Sequence, residues 1–151
     1  MITDDPELSA MDREEAKPPK QVIVVRADLK MQRGKEVAQG SHASMAFIAR
    51  RLRVPLGGED CEDGVIHEFP MKPVEIEWLN NGRFTKICLS VDSEQALIDL
   101  YDRAKAAGLE VNMITDSGLT VFHGVPTKTC LAIGPDWPER IDPLTKGLKL
   151  R

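Results

Sequence analysis

Two short stretches of this chain hold side chains able to do chemistry together. In the first, Lys35, Gln39 and His42 recur at steps of four and three behind the apolar run QVIVV. On a helix, that spacing puts all three on one face. In the second, ITDSGLTVFH, Asp116 follows an apolar run and is trailed by Ser117, Thr120 and His123. Lys35 falls in the first turn of its expected helix, where the backbone dipole favours negative charge. A bound phosphate or carboxylate would explain a cation there, because free backbone N–H groups would point at the same anion. A solvated surface lysine is the plainer alternative. Asp116 suits a carboxylate that orients or activates water, with the Thr120 hydroxyl beside it. It equally suits a turn aspartate bonded to its own backbone. His42 reads as a catalytic imidazole or, more simply, as a core histidine with a satisfied hydrogen bond.

These residues need elements to hold them. Residues 21–27 form a near-continuous Val/Ile run, as in a strand buried on both faces. Residues 34–52 read as a helix, with Ala38, Met45, Ile48, Ala49 and Leu52 as its buried stripe. Gly40, Ser41, Ala43 and Ser44 on that helix are small enough for another backbone to pack closely. Residues 84–91, 110–115 and 128–133 read as three more strands. Between the first two lies a helix capped by Asp92 or Ser93, striped by Ala96, Leu97, Leu100, Ala104 and Ala107, and stopped at Gly108. Residues 74–79 and 136–144 suit short helices. The order is β–α–β–α–β–β–α, an α/β sandwich on a small mixed sheet. Its last two strands form a hairpin, which makes one of them antiparallel. Ligands in such sheets collect beyond the carboxyl ends of parallel strands, so the loop before Lys35 and the segment at Asp116 are expected to face each other there.

At 151 residues the chain has the size of one domain with a real core. Its net charge of −4 conceals a division: residues 21–53 hold seven basic and two acidic side chains, a local +5. The acids concentrate in residues 1–20 and 54–83. Residues 1–19 read as a disordered acidic tail ahead of a single domain over 20–151. Residues 54–83, with LGGEDCEDG, Pro70, Pro73 and NNG, read as a loop-rich insertion. Cys61, Cys88 and Cys130 are odd in number and widely spaced, which suits free thiols in the cytoplasm. No apolar run has the length a membrane helix needs.

Several chemistries are disfavoured. GxGxxG and the Walker A pattern are missing, which argues against dinucleotide and NTP binding. Cys61, Glu62, Asp63 and His67 lack zinc-ligand spacing. GxSxG is missing, so Asp116, Ser117 and His123 do not make a nucleophilic triad. With four Phe, two Trp and one Tyr, an aromatic base-stacking platform is not supported. A nucleic acid partner would be held mainly through phosphates.

VVRADLKMQRGKEVAQGSHA resembles the N-terminal signature of the type 2 peptidyl-tRNA hydrolases, in which a VVR-x-DL-x-M strand leads into a GK-x-x-AQ-x-x-HA helix. ITDSGLT is similar to that family's I-x-DAG-x-T, and LAIGPDWPERIDPLTKGLKL to its AIGP…ID-x-x-T-x-x-LKL ending. The resemblance spans residues 21–50 and 84–151. It implies a three-layer α/β/α sandwich with a four-stranded mixed sheet, commonly homodimeric. It implies hydrolysis of the ester joining a peptide to the 3′ ribose of tRNA, without metal or other cofactor. Lys35, Asp116 and Thr120 are then expected to be catalytic, and Arg33, Gln39 and His42 to meet the substrate.

The chain departs from that pattern in places. Residues 54–83 are longer than the usual connection. Val121 stands where a polar residue, often Gln, commonly follows the threonine. Ser117 replaces the usual Ala, and the hairpin FHGVPTKT is about one residue longer. Two rival readings remain at this point: a non-catalytic tRNA- or protein-binding adaptor on the same fold, and an esterase or amidase for another carbonyl substrate.

Overall fold

The computed structural model describes residues 17–53 and 58–151. Most of the expected acidic tail, residues 1–16, lies outside them. Strand β1 (Lys20–Arg26) is followed by a single 3-10 turn (Ala27–Leu29) and helix α1 (Arg33–Arg53). A two-stranded ribbon (β2, Glu59–Cys61; β3, Gly64–Ile66) and helix α2 (Pro73–Asn80) precede β4 (Lys86–Val91). Then come α3 (Glu94–Ala106), β5 (Val111–Asp116), β6 (Thr127–Asp136), α4 (Pro138–Thr145) and β7 (Lys149–Leu150).

The main sheet has the order β5-β6-β1-β4-β7. β1 runs parallel to β4 and antiparallel to β6, and β6 is antiparallel to β5. β1, β4 and β5 therefore point the same way, and their carboxyl ends share one edge. Alternation along β1 sends side chains to both faces. Val22 and Val24 join Leu89, Leu131 and Ile133 beneath Leu97 and Leu100 of α3 and Ile141 of α4. Val25, with Cys130 and Ala132, packs against Ala43 of α1 and Met31 on the opposite face. The three-layer sandwich follows, with five strands where four were expected. β7 is the addition, pairing Leu150 with Leu89. Two residues are too few to show any periodicity.

The buried stripe of α1 is not the apolar one. Gln39, Ala43, Ser44 and Phe47 face inward, while Ala38, Met45 and Leu52 are exposed. Two polar side chains are buried because each finds partners. Ser44 Oγ donates to Gln21 Oε1 at 2.6 Å, and Gln21 Nε2 returns a bond to the Ser44 carbonyl at 3.0 Å. That clip holds α1 against the start of β1. Of the small residues expected to allow close packing, Ala43 and Ser44 are buried, but Ser41 is exposed and bonds its own helix at Val37 O.

The insertion is more ordered than its composition suggests over residues 58–83. Pro73 opens α2, and the Glu75 carboxylate accepts from the Lys72 N–H at 2.9 Å, as a capping residue three positions on can. Glu75 is fully buried and gripped by both terminal nitrogens of Arg51, at 2.6 and 2.8 Å. Trp78 is buried against Phe47 and Phe84. In α3, Ser93 is the cap, accepting from Ala96 N at 3.1 Å.

Candidate active site

The carboxyl edge of the sheet gathers the site. Asp116 ends β5, and the loop of residues 117–126 carries the chain to β6. From the other side, the first turns of α1 bring Lys35 and Gln39 over the same point. Lys35 Nζ donates to Asp116 Oδ2 at 2.7 Å and to Thr120 Oγ1 at 3.0 Å. Gln39 Nε2 donates to Asp116 Oδ2 at 3.0 Å. The other carboxylate oxygen, Oδ1, accepts from the Gly118 N–H at 2.8 Å. The turn reading of Asp116 holds at Oδ1, and Oδ2 faces the Lys35 ammonium. Gly118 is needed for the turn because its φ of +82° disfavours other residues.

The Lys35 hydrogen bond, then the Gly118 N–H, hold the Asp116 carboxyl below its ordinary range. It is ionised at neutral pH, hence a weak base and a strong acceptor. A carboxylate offers about four acceptor positions, and these three donors leave room for a water. Lys35 has three N–H donors and spends two on Asp116 and Thr120. Its ammonium stands over the Phe122 ring, 5.7 Å from the ring centroid. Thr120 accepts from Lys35, so its own O–H is free to donate outward.

Behind these residues stands one that the sequence reading missed. Thr129, wholly buried in β6, donates to Gln39 Oε1 at 2.5 Å. A threonine amid the buried run of β6 is the available signal, since a buried polar side chain is more informative than a buried apolar one. Next to it, the Cys130 thiol donates to the Gln39 backbone carbonyl at 3.2 Å. Burial pushes that thiol up to about 11, so it stays protonated as a donor.

Arg33 and His42 are not brought to the centre. Arg33 is exposed at the start of α1, beside a groove on the β4 side. His42 is exposed as well, which overturns the core-histidine reading. It lies two turns beyond Lys35, about 10 Å along the axis. The +5 block also shrinks on folding. Arg26 pairs with Asp28 and Glu94, Lys35 with Asp116, Arg50 with Glu110, and Arg51 with Glu75. Among the described residues, Lys30, Arg33 and Arg53 have no carboxylate partner.

An ionised carboxylate held by an ammonium, a fixed side-chain amide and a backbone N–H, with a hydroxyl on the same ammonium, at the edge of an α/β/α sandwich defines a class: a hydrolase-type centre suited to an activated carbonyl. The chain belongs to the family described as peptidyl-tRNA hydrolase PTH2, whose model matches residues 19–151. It is 38% identical to the peptidyl-tRNA hydrolase of Methanocaldococcus jannaschii over 132 residues, covering 87% of this chain and 98% of that one. It is 40% identical to that of Methanopyrus kandleri over 131 residues, covering 87% and 97%. A probable peptidyl-tRNA hydrolase 2 of Dictyostelium discoideum is 36% identical over 131 residues, covering 87% of this chain and 54% of its own length.

Proposed function

We propose that Lys35, Asp116 and Thr120 are the residues with which this enzyme of the peptidyl-tRNA hydrolase family cleaves the ester between a peptide and the 3′ ribose of tRNA. The observation that carries the assignment is the contact of Lys35 Nζ with both Asp116 Oδ2 and Thr120 Oγ1. Asp116 accepts a hydrogen bond from the attacking water and aims it at the carbonyl. Lys35 directs its third N–H at the oxygen where negative charge develops, in a half-buried place where that charge is poorly screened. Thr120 donates its hydroxyl to the carbonyl or the incoming water. Water adds to the acyl carbon, the bond to the ribose oxygen breaks, and the products are the peptide acid and the free 3′-hydroxyl. The residues need no metal or other cofactor for this step, because an aminoacyl ester is already activated.

Gln39 acts by holding Asp116. Arg33, with Lys30, is positioned to meet tRNA phosphates near the start of α1, and His42 to meet tRNA further along the helix. Binding led by phosphates weakens as salt rises. Residues 20–151 act as one domain in this reading, with residues 1–19 as an acidic extension. The free thiols and the tRNA substrate fit the cytoplasm. No helix among the described residues is long and apolar enough to cross a membrane.

The enzyme is further proposed to be a homodimer. Between α1 and the open face of β4 and β7 runs a groove of about 980 Å³. Val37, Met45, Phe84 and Leu150 border it and are 47–80% exposed. Apolar side chains gathered in this way mark an interaction surface, and a second copy is the occupant proposed.

A single-turnover assay with an N-blocked aminoacyl-tRNA and with a simple ester tests the assignment. Rapid release from the tRNA substrate with little action on the simple ester is expected. Equal rates on both would make the enzyme a general esterase, and tRNA binding without release would make it an adaptor.

A further inference from the structure

The loop that supplies Thr120 has an unusual outer surface. Residues 117–126 contain no Lys, Arg, Asp or Glu, and His123 is their only titratable side chain. Leu119 is 84% exposed, Val125 59% and Val121 50%. The loop holds these side chains out instead of collapsing onto them, because its backbone is pinned from within. The Gly124 N–H donates to Gly118 O at 2.9 Å, and the Val125 N–H to Phe122 O at 2.9 Å. A Cβ on Gly118 would lie 2.2 Å from the Val125 carbonyl oxygen, so Gly118 and Val125 touch backbone to backbone. That contact sets the Val125 backbone against Gly118, one residue before Leu119 and two before Thr120.

Resting on the proposed reading of the site, we infer that this loop is an apolar pad for the side chain of the peptidyl residue esterified to tRNA. A substrate whose ester carbonyl meets Lys35, Asp116 and Thr120 extends two branches from that point. The tRNA branch carries phosphates and requires cations. Lys30 and Arg33 stand at the start of α1, and the loop has none. The acyl branch carries no obligatory charge and an often apolar side chain, and the loop next to Thr120 matches it. The pad thus makes the enzyme favour peptidyl-tRNAs whose last residue is apolar. An open surface discriminates less than a closed pocket, so a preference of about tenfold is expected, at the low end for apolar contacts.

The test uses one tRNA body charged with either N-acetyl-leucine or N-acetyl-glutamine, similar in size and both uncharged. Single-turnover kcat/KM is measured for the native enzyme and for the double variant Leu119→Ser, Val125→Ser. The native enzyme should favour the leucyl substrate by about tenfold, and the variant should reduce that ratio at least fivefold, the loss falling on the leucyl substrate. Equal native rates on the two substrates would overturn the inference. So would a variant that keeps the preference, or one that slows both substrates alike, as expected if the pad held the terminal adenine instead. Release from neither substrate by the native enzyme would remove the proposed activity itself, a result distinct from equal release.

Discussion

The hydroxyl of Thr129 decides which end of the Gln39 amide faces Asp116. It donates to Gln39 Oε1 at 2.5 Å, so the amide nitrogen is left to donate to Asp116 Oδ2 at 3.0 Å. Reversing the amide would set two oxygens against each other. Thr129→Val keeps the shape of the side chain and removes the donor. The expected result is a roughly tenfold fall in kcat with KM little changed, and a loss of about 1–3 kcal/mol in urea unfolding, the range for a buried acceptor left without its partner. Thr129→Ser should restore most of both, which a purely steric role would not predict.

Lys35 lowers the Asp116 pKa and, in the proposed mechanism, faces the substrate. Lys35→Met should reduce kcat/KM by about 100-fold or more, the scale of losing one donor to a developing oxyanion. The same change should move the Asp116 titration upward, toward its ordinary 3.8. The sign for stability follows from linkage. Because the folded pKa of Asp116 is depressed, the ion pair stabilises the native protein above pH 3.8 and the benefit is lost as pH falls through the folded value. Urea unfolding of native and Lys35→Met proteins across pH 2–6 checks this: their difference in stability should narrow at the acid end.

Arg51 and Glu75 tie α2 to α1. Burial pushes the Glu75 carboxyl up, but the Arg51 bonds and the Lys72 N–H outweigh it and hold it below its ordinary value. Glu75→Gln leaves the largely buried guanidinium of Arg51 with only the more distant Glu110 carboxylate, at 3.6 Å, and a cost of about 3 kcal/mol is expected. Replacing both residues together, Arg51→Met with Glu75→Leu, should cost far less, because no charge is then stranded. Denaturant midpoints of the single and double variants measure the difference.

The groove beside α1 predicts association. Met45→Glu with Val37→Glu should convert a dimer to a monomer in sedimentation equilibrium while leaving the helical circular dichroism intact. A native protein that sediments as a monomer at micromolar concentration would remove the dimer proposal.

Much of this architecture was legible from side-chain type and spacing. The Val/Ile run of β1 and a cap of α3 at Asp92 or Ser93 follow from local rules, and the meeting of Lys35 with Asp116 from the gathering of sites at the carboxyl edge of a sheet. The failures have physical causes. The stripe of α1 was misplaced because periodicity counts apolar residues, whereas this helix buries Gln39 and Ser44 through specific hydrogen bonds. The +5 charge of residues 21–53 overstated the free cations, because Glu75, Glu94, Glu110 and Asp116 arrive from distant sequence to neutralise Arg51, Arg26, Arg50 and Lys35. Thr129 stands out as a threonine in a buried run, but its role was hidden because its partner lies 90 residues away.

The central claim is that Asp116 serves hydrolysis and not only its turn. Asp116→Asn keeps the side chain's size and its acceptor for the Gly118 N–H, but removes the charge that faces Lys35. The decisive measurement is single-turnover release of N-blocked amino acid from its tRNA by native and Asp116→Asn enzymes, with tRNA binding followed in parallel. The account predicts release slowed at least about 100-fold with tRNA still bound. Near-native release by the variant would contradict it.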